Sequence, residues 1–220
     1  MQENFFFGRI KLTINLIKFR LKGEVMSKIN LIAIGSSTGG PEALSRVIPR
    51  LLPPLPPIVI VQHIPPRFSK SLADRLNKES SLTVKEGEQG ELLQKNYVYI
   101  APGGLHMELK KNLEGKLQIR CFMAPPVHSC RPAVDVLFKS VAELVGAEAL
   151  GVILTGIGHD GAEGLLEMKQ KGSPTLGQDE ATSVVYGMPK SAFDIGAVDI
   201  QLPIDAISIA IMNTIKKFND

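Results

Sequence analysis

The 220-residue sequence has no stretch of 18 or more apolar residues free of charge, which argues against a membrane-spanning helix. Two cysteines are too few for a disulfide framework, so a reducing, cytoplasmic setting is expected. No small-residue cleavage site follows the apolar residues near the N-terminus, so they are not read as a secretory signal. No internal repeat and no low-complexity linker divide the chain. What is present is ordinary for a globular protein: 44% hydrophobic and 21% charged residues can bury a sizeable core in a single α/β unit.

The formal net charge of +3 is unevenly placed. Residues 1–27 carry five basic side chains (Arg9, Lys11, Lys18, Arg20, Lys22) against Glu3 and Glu24, so residues 28–220 balance to neutrality. With the basic excess confined to one end, the composition gives no support for nucleic-acid binding. Residues 1–27 are read as a poorly ordered basic extension and residues 28–220 as the folded domain. The stripe Ile10, Ile14, Ile17 and Leu21 is also compatible with a basic amphipathic helix for a membrane surface or a partner.

From Ile29 onward, short apolar runs alternate with longer helical patterns, the signature of βα units on a parallel sheet. Buried strands are expected at 29–34, 57–62, 97–100 and 150–155, because Ile, Val and Leu dominate them as in strands covered on both faces. Helical periodicity predicts helices near 41–51, 67–79, 133–146, 161–171 and 203–217. The segments HMELK and KLQIR flank a turn at Asn112–Gly115 and predict an antiparallel hairpin attached to the sheet. The expected fold is a doubly wound, mainly parallel sheet flanked by helices, with that small hairpin.

In such a sheet, ligands bind beyond the carboxyl ends of the strands. Three of the expected strand-to-helix turns carry chemistry. The first, Gly35-Ser36-Ser37-Thr38-Gly39-Gly40-Pro41, lacks the Lys-Ser/Thr of a P-loop and the second glycine of a dinucleotide fingerprint. It does hold Gly35-x-Ser37-x-Gly39, the spacing in which a serine is thrust out of a tight strand-to-helix bend. The second turn places His63 directly after a strand, and the third, Thr155–Gly161, holds Asp160. Each has a plain alternative: Ser37 as a turn cap, His63 as a surface histidine, Asp160 as the cap of the helix that follows it. Their common position past three strand ends favours a convergent Ser–His–Asp site. Ser37 would then be the nucleophile, His63 its base, and Asp160 the group that orients the imidazole. Chain order is Ser, His, Asp, unlike the Ser, Asp, His of α/β-hydrolases.

At these residues the chain resembles the catalytic domain of the chemotaxis protein-glutamate methylesterase (CheB) family. The resemblance is carried by LIAIGSSTGGPEAL (31–44), VQHIPPRFSKSLADRLN (61–77), YIAPGGLHMEL (99–109), RPAVDVLFKSVA (131–142), GVILTGIGHDGAEGL (151–165) and ATSVVYGMPKSA (181–192). It implies a triad of Ser37, His63 and Asp160, hydrolysis of glutamyl methyl esters on chemoreceptors with release of methanol, and deamidation of particular receptor glutamines. Oxyanion donors are expected among backbone N–H groups at Ile157 and the turn around His63, with Thr38 as a polar supporter. No cofactor is implied. The other readings are the same fold acting on a different ester or amide, and a non-catalytic signalling module.

Two departures from the family pattern stand out. Family members commonly carry an N-terminal receiver domain, for which the 28 residues before the first expected strand are too few; a stand-alone catalytic domain is expected. His159 stands where asparagine is common, beside Asp160. Cys130 and His128 raise the question of metal, but no CxxC or HxxxH spacing is present, and no metal site is expected.

Overall fold

The computed structural model describes residues 27–219, so the basic segment, apart from Ser27, lies outside the described residues. In chain order the elements are β1 (Leu31–Ser36), α1 (Gly40–Val47), β2 (Ile58–Gln62), α2 (Phe68–Glu79), β3 (Thr83–Glu86), β4 (Tyr97–Ile100), β5 (His106–Lys111), β6 (Leu117–Phe122), α3 (Val134–Leu144), β7 (Ala149–Ile153), α4 (Ala162–Gln170), β8 (Thr175–Gln178), α5 (Met188–Asp194), β9 (Ile200–Leu202) and α6 (Ile204–Asn219). Seven strands form one sheet in the order β3-β4-β2-β1-β7-β8-β9, with every pair parallel.

The apolar strand sequences follow from burial on both faces. Every residue of β1, β2 and β7 is buried. Because side chains alternate along a strand, Ile32, Ile34, Ile58 and Ile60 point into one layer with Leu44 of α1, Leu76 of α2 and Ile211 of α6. Leu31, Ala33, Val59 and Val61 point into the other, against Phe138 of α3, Leu165 of α4 and Met188 of α5. The doubly wound expectation is met.

The expected antiparallel hairpin is present, but it does not join the parallel sheet. β5 and β6 pair only with each other as a separate two-stranded sheet, and Met107, Leu109 and Ile119 pack into the layer that holds α3. The elements not anticipated are β3, β8, β9 and α5. β3 is a sheet-edge strand of sequence TVKE with one of its four residues fully buried, β9 has three residues and α5 seven. Segments that short show neither the apolar run of a central strand nor a full helical period.

Topology selects one crevice. From β1 the chain builds one side of the sheet, β2 beside β1, β3 at the edge and β4 inserted between them, then returns to place β7 on the other side of β1. The carboxyl ends of β1 and β7 therefore flank the point where winding direction reverses, the usual place for a site in an open parallel sheet. A cavity of about 500 Å³ lined by Asn30, Leu55, Met212 and Ile215 sits instead at the amino-terminal edge of the strands, away from the three turns.

Candidate active site

The register β1–β2 pairs Ser36 with Gln62, so Ser37 and His63, the next residue of each chain, leave the sheet side by side. The backbone locks this arrangement. His63 N–H donates to the Ser36 carbonyl and Ser37 N–H to the Thr155 carbonyl, both at 3.0 Å. Buried Ser36 turns inward and donates its hydroxyl to Gln62 Oε1 at 2.7 Å, while Gln62 Nε2 donates to the carbonyls of Ser37 and His63. Of the two adjacent serines, Ser36 is thus part of the scaffold, and Ser37 faces the crevice half-buried.

The third turn passes close to Ser37 because Gly156 has no side chain. A Cβ there would lie 2.7 Å from Ser37 Cβ and 2.2 Å from Met188 Sδ. Immediately beyond it, Ile157 is 63% exposed, and Val184, whose side chain lies against Gly39 of the first turn, is 62% exposed. Thr38 is exposed, and its contact in the framework is through its carbonyl, which accepts the Thr155 hydroxyl.

Asp160 returns beneath the histidine. His63 Nε2 lies 2.7 Å from Asp160 Oδ2, with both side chains largely shielded from solvent. The carboxylate does not cap α4, which follows it. Instead Oδ2 accepts the N–H of Val134 and Oδ1 that of Asp135, the first two residues of α3. Burial pushes this carboxyl up, but the His63 hydrogen bond and the two backbone N–H groups outweigh burial and hold it below the ordinary aspartate value. The start of α3 adds the positive end of a helix dipole. Asp160 is accordingly a fixed anion, and it leaves Nδ1 as the ring nitrogen available for proton transfer. Nδ1 faces Cys130 Sγ at 3.4 Å, and among the described residues no hydrogen bond joins Ser37 Oγ to His63.

A family model described as CheB methylesterase matches residues 32–211. The chain belongs to that family. A Photorhabdus laumondii protein named protein-glutamate methylesterase/protein-glutamine glutaminase is 53% identical over 175 residues, 80% of this chain and 50% of the relative. A Caulobacter vibrioides protein of the same name, numbered 1, is 48% identical over 191 residues, 86% of this chain and 55% of the relative. The crystal structure of the Thermotoga maritima CheB methylesterase catalytic domain matches with a TM-score of 0.82 at 42% identity, covering 85% of this chain and 99% of that one. The chain spans about half the length of the curated relatives it matches.

Within this CheB fold several supporting residues escaped the sequence reading. Thr155 ties three segments: its hydroxyl reaches the carbonyls of Thr38 and Val185 and accepts the Val185 N–H, while its own N–H goes to Gln178 Oε1. Asp135 mirrors Asp160, because its Oδ1 accepts the N–H of Gly164 in the first turn of α4. The two helices therefore cap each other through two neighbouring aspartates. They meet closely at Gly164, where a Cβ would come within 2.6 Å of Phe138 Cβ. The available signal was a polar residue at the end of each apolar strand or start of each apolar helix: Gln62, Thr155, Gln178 and Asp135 are all buried. The partners of each lie tens of residues away, and no local spacing reveals them. Two groups of side chains have the donor atoms for a metal, His63/Cys130/Asp160 and His128/Asp135/Glu163, each with its atoms within 4.8 Å of one another.

Proposed function

We propose that the chain is a serine hydrolase that removes methyl esters from glutamate side chains of chemoreceptors and deamidates receptor glutamines, acting in the cytoplasm. The observation that carries this reading is the convergence of Ser37, His63 and Asp160 past the ends of β1, β2 and β7, with His63 Nε2 held 2.7 Å from Asp160. Membership of the CheB methylesterase family and the methylesterase and glutaminase names of its relatives support the substrate class.

The chemistry follows from the site. Ser37 Oγ attacks the ester carbonyl while His63 Nδ1 takes its proton, and Asp160 stabilises the resulting imidazolium through Nε2–H. Productive geometry requires Ser37 Oγ to reach Nδ1, the nitrogen that Cys130 now faces; catalytic hydrogen bonds of this kind often tighten only with substrate bound. The imidazolium returns the proton to the departing methanol, leaving a glutamyl ester on Ser37. Water then attacks that ester, giving its proton to His63, which passes it to the departing Ser37 Oγ as the glutamate carboxylate of the substrate is released. Backbone N–H groups at Ile157 and around His63 receive the oxyanion. Exposed Ile157 and Val184 give the crevice a shallow apolar rim suited to a substrate presented on a helix rather than to a small buried ligand. The neutral charge balance of residues 28–220 supports a protein rather than a nucleic-acid partner. Among the described residues no helix is long and apolar enough to cross a membrane.

Methanol release from methylated receptor by the purified protein tests the reading. The wild-type protein is expected to release it and Ser37→Ala is not. Absence of release by wild type refutes the methylesterase assignment, leaving another ester or a binding role. Equal release by both refutes Ser37 as nucleophile, whereas Ser36→Ala is expected to remain active if folded.

A further inference from the structure

Asp135 is a buried carboxylate, 1% exposed. Its Oδ1 is taken by Gly164 N–H, while Oδ2 points outward to His128 Nε2 at 2.9 Å. Beyond His128 and Asp135 lies a second carboxylate, that of exposed Glu163, with donor atoms of the three residues all within 4.8 Å of one another. One buried anion, one imidazole and one solvent-facing anion thus converge on a point reached from outside.

We propose that His128, Asp135 and Glu163 bind a divalent transition-metal cation of the zinc class beside the triad. One nitrogen and two carboxylate oxygens are a zinc-type donor set, and two carboxylates balance a dication. Bond lengths of about 2.0–2.2 Å put neighbouring ligand atoms about 2.8–3.6 Å apart at angles between 90° and tetrahedral. The observed 2.9 Å between His128 Nε2 and Asp135 Oδ2 is already at that separation. Binding sends the proton shared by this pair to solvent. The other ring nitrogen is also provided for: His128 Nδ1 lies 2.9 Å from His159 Nε2, so Nδ1–H donates to His159 while Nε2 holds the metal, the outer-shell arrangement that fixes a ligating histidine. Lys139 competes, since its ammonium lies 3.0 Å from Glu163 and must release that carboxylate. The ligands come from positions 128, 135 and 163, a spacing that no short metal motif contains, which is why the sequence predicts no site there. The site stands on its own geometry and not on the esterase assignment.

Calorimetric titration of the full chain, stripped with chelator, with Zn²⁺ tests the proposal. One saturable zinc is expected, lost in His128→Asn and weakened by roughly 10–100-fold in His159→Asn, the usual cost of removing an outer-shell partner. Lys139→Met, which frees Glu163, is expected to tighten binding several-fold. Cys130→Ser leaves the affinity unchanged, because the ion does not sit at the His63/Cys130 pair. Thermal melts in metal-free buffer confirm that each variant is folded; if His128→Asn is not, His159→Asn and Lys139→Met decide. No zinc binding by wild type, binding that survives in folded His128→Asn, loss in folded Cys130→Ser, or an affinity unmoved by both His159→Asn and Lys139→Met overturns the proposal.

Discussion

Replacing Asp160 by asparagine separates the two tasks assigned to its carboxylate. The wild-type group accepts three hydrogen bonds, from His63, Val134 and Asp135, in a site 2% exposed. Asparagine keeps the shape but has one acceptor oxygen and one NH₂. If the oxygen faces His63 and Val134, the NH₂ meets the Asp135 N–H. If it faces Asp135, the NH₂ meets Val134 N–H and forces His63 to present a bare Nε2, which moves the proton to Nδ1 and removes the base. Either orientation strands one buried N–H, a cost of about 1–3 kcal/mol. Both lose the anion that stabilises imidazolium, so turnover should fall far more than stability suggests, by about 10⁴ where the wrong tautomer dominates. The stability loss should itself depend on pH. The folded carboxyl is held below its unfolded value of 3.8, so its contribution is fully present above that value and disappears as pH falls through the folded pKa. Chemical denaturation of both proteins at pH 7 and at successively lower pH, with methanol release at pH 7, measures all three quantities. An Asp160→Asn protein with wild-type turnover, or one whose stability deficit stays constant into strong acid, refutes this account of the carboxylate.

Other perturbations have different signatures. Gly156→Ala places a methyl group 2.7 Å from Ser37 Cβ and 2.2 Å from Met188 Sδ; displacing Ser37 by an ångström should lower kcat about 10²-fold, and an unchanged kcat would show that the approach is not constrained. Burial first, then Glu86 and Glu91, push the Cys121 thiol up to about 11, so only about one part in 10³ is thiolate at pH 8. In a Cys130→Ser background, thiol labelling at pH 8 should therefore be roughly 10²-fold slower in the native than in the unfolded protein; equal rates would refute the shift. Phe138→Ala, at a fully buried position between α3 and the sheet, should cost about 3–5 kcal/mol in denaturant unfolding. Asp205→Ala, which removes exposed pairs with Arg46 and Arg50, should cost under about 1 kcal/mol; a reversal of that order would contradict the burial argument.

What the sequence discloses and what it hides divide along contact range. The central strands and long helices are legible because burial on both faces writes a continuous apolar run, as in IVIVQ of β2, and amphipathic packing writes a helical period. The three chemistry-bearing turns are legible for a related reason: each follows such a run at once, and parallel strands deliver their carboxyl ends to one edge, so Ser37, His63 and Asp160 can be brought together without knowledge of any side-chain contact. The partners are a different matter. That Asp160 caps α3 rather than α4 depends on a contact to Val134, 26 residues away, and nothing within a turn of Asp160 distinguishes that from an ordinary N-cap. The mutual capping of α3 and α4 places Asp135 against His128, and the loop before α4 places His159 on the other side of that ring. A linear motif can encode ligands on one helix or one hairpin, as paired cysteines or histidines do. It cannot encode ligands that meet only because two helices cap each other, which makes the absence of such a motif a poor guide to chemistry at the strand ends of this fold.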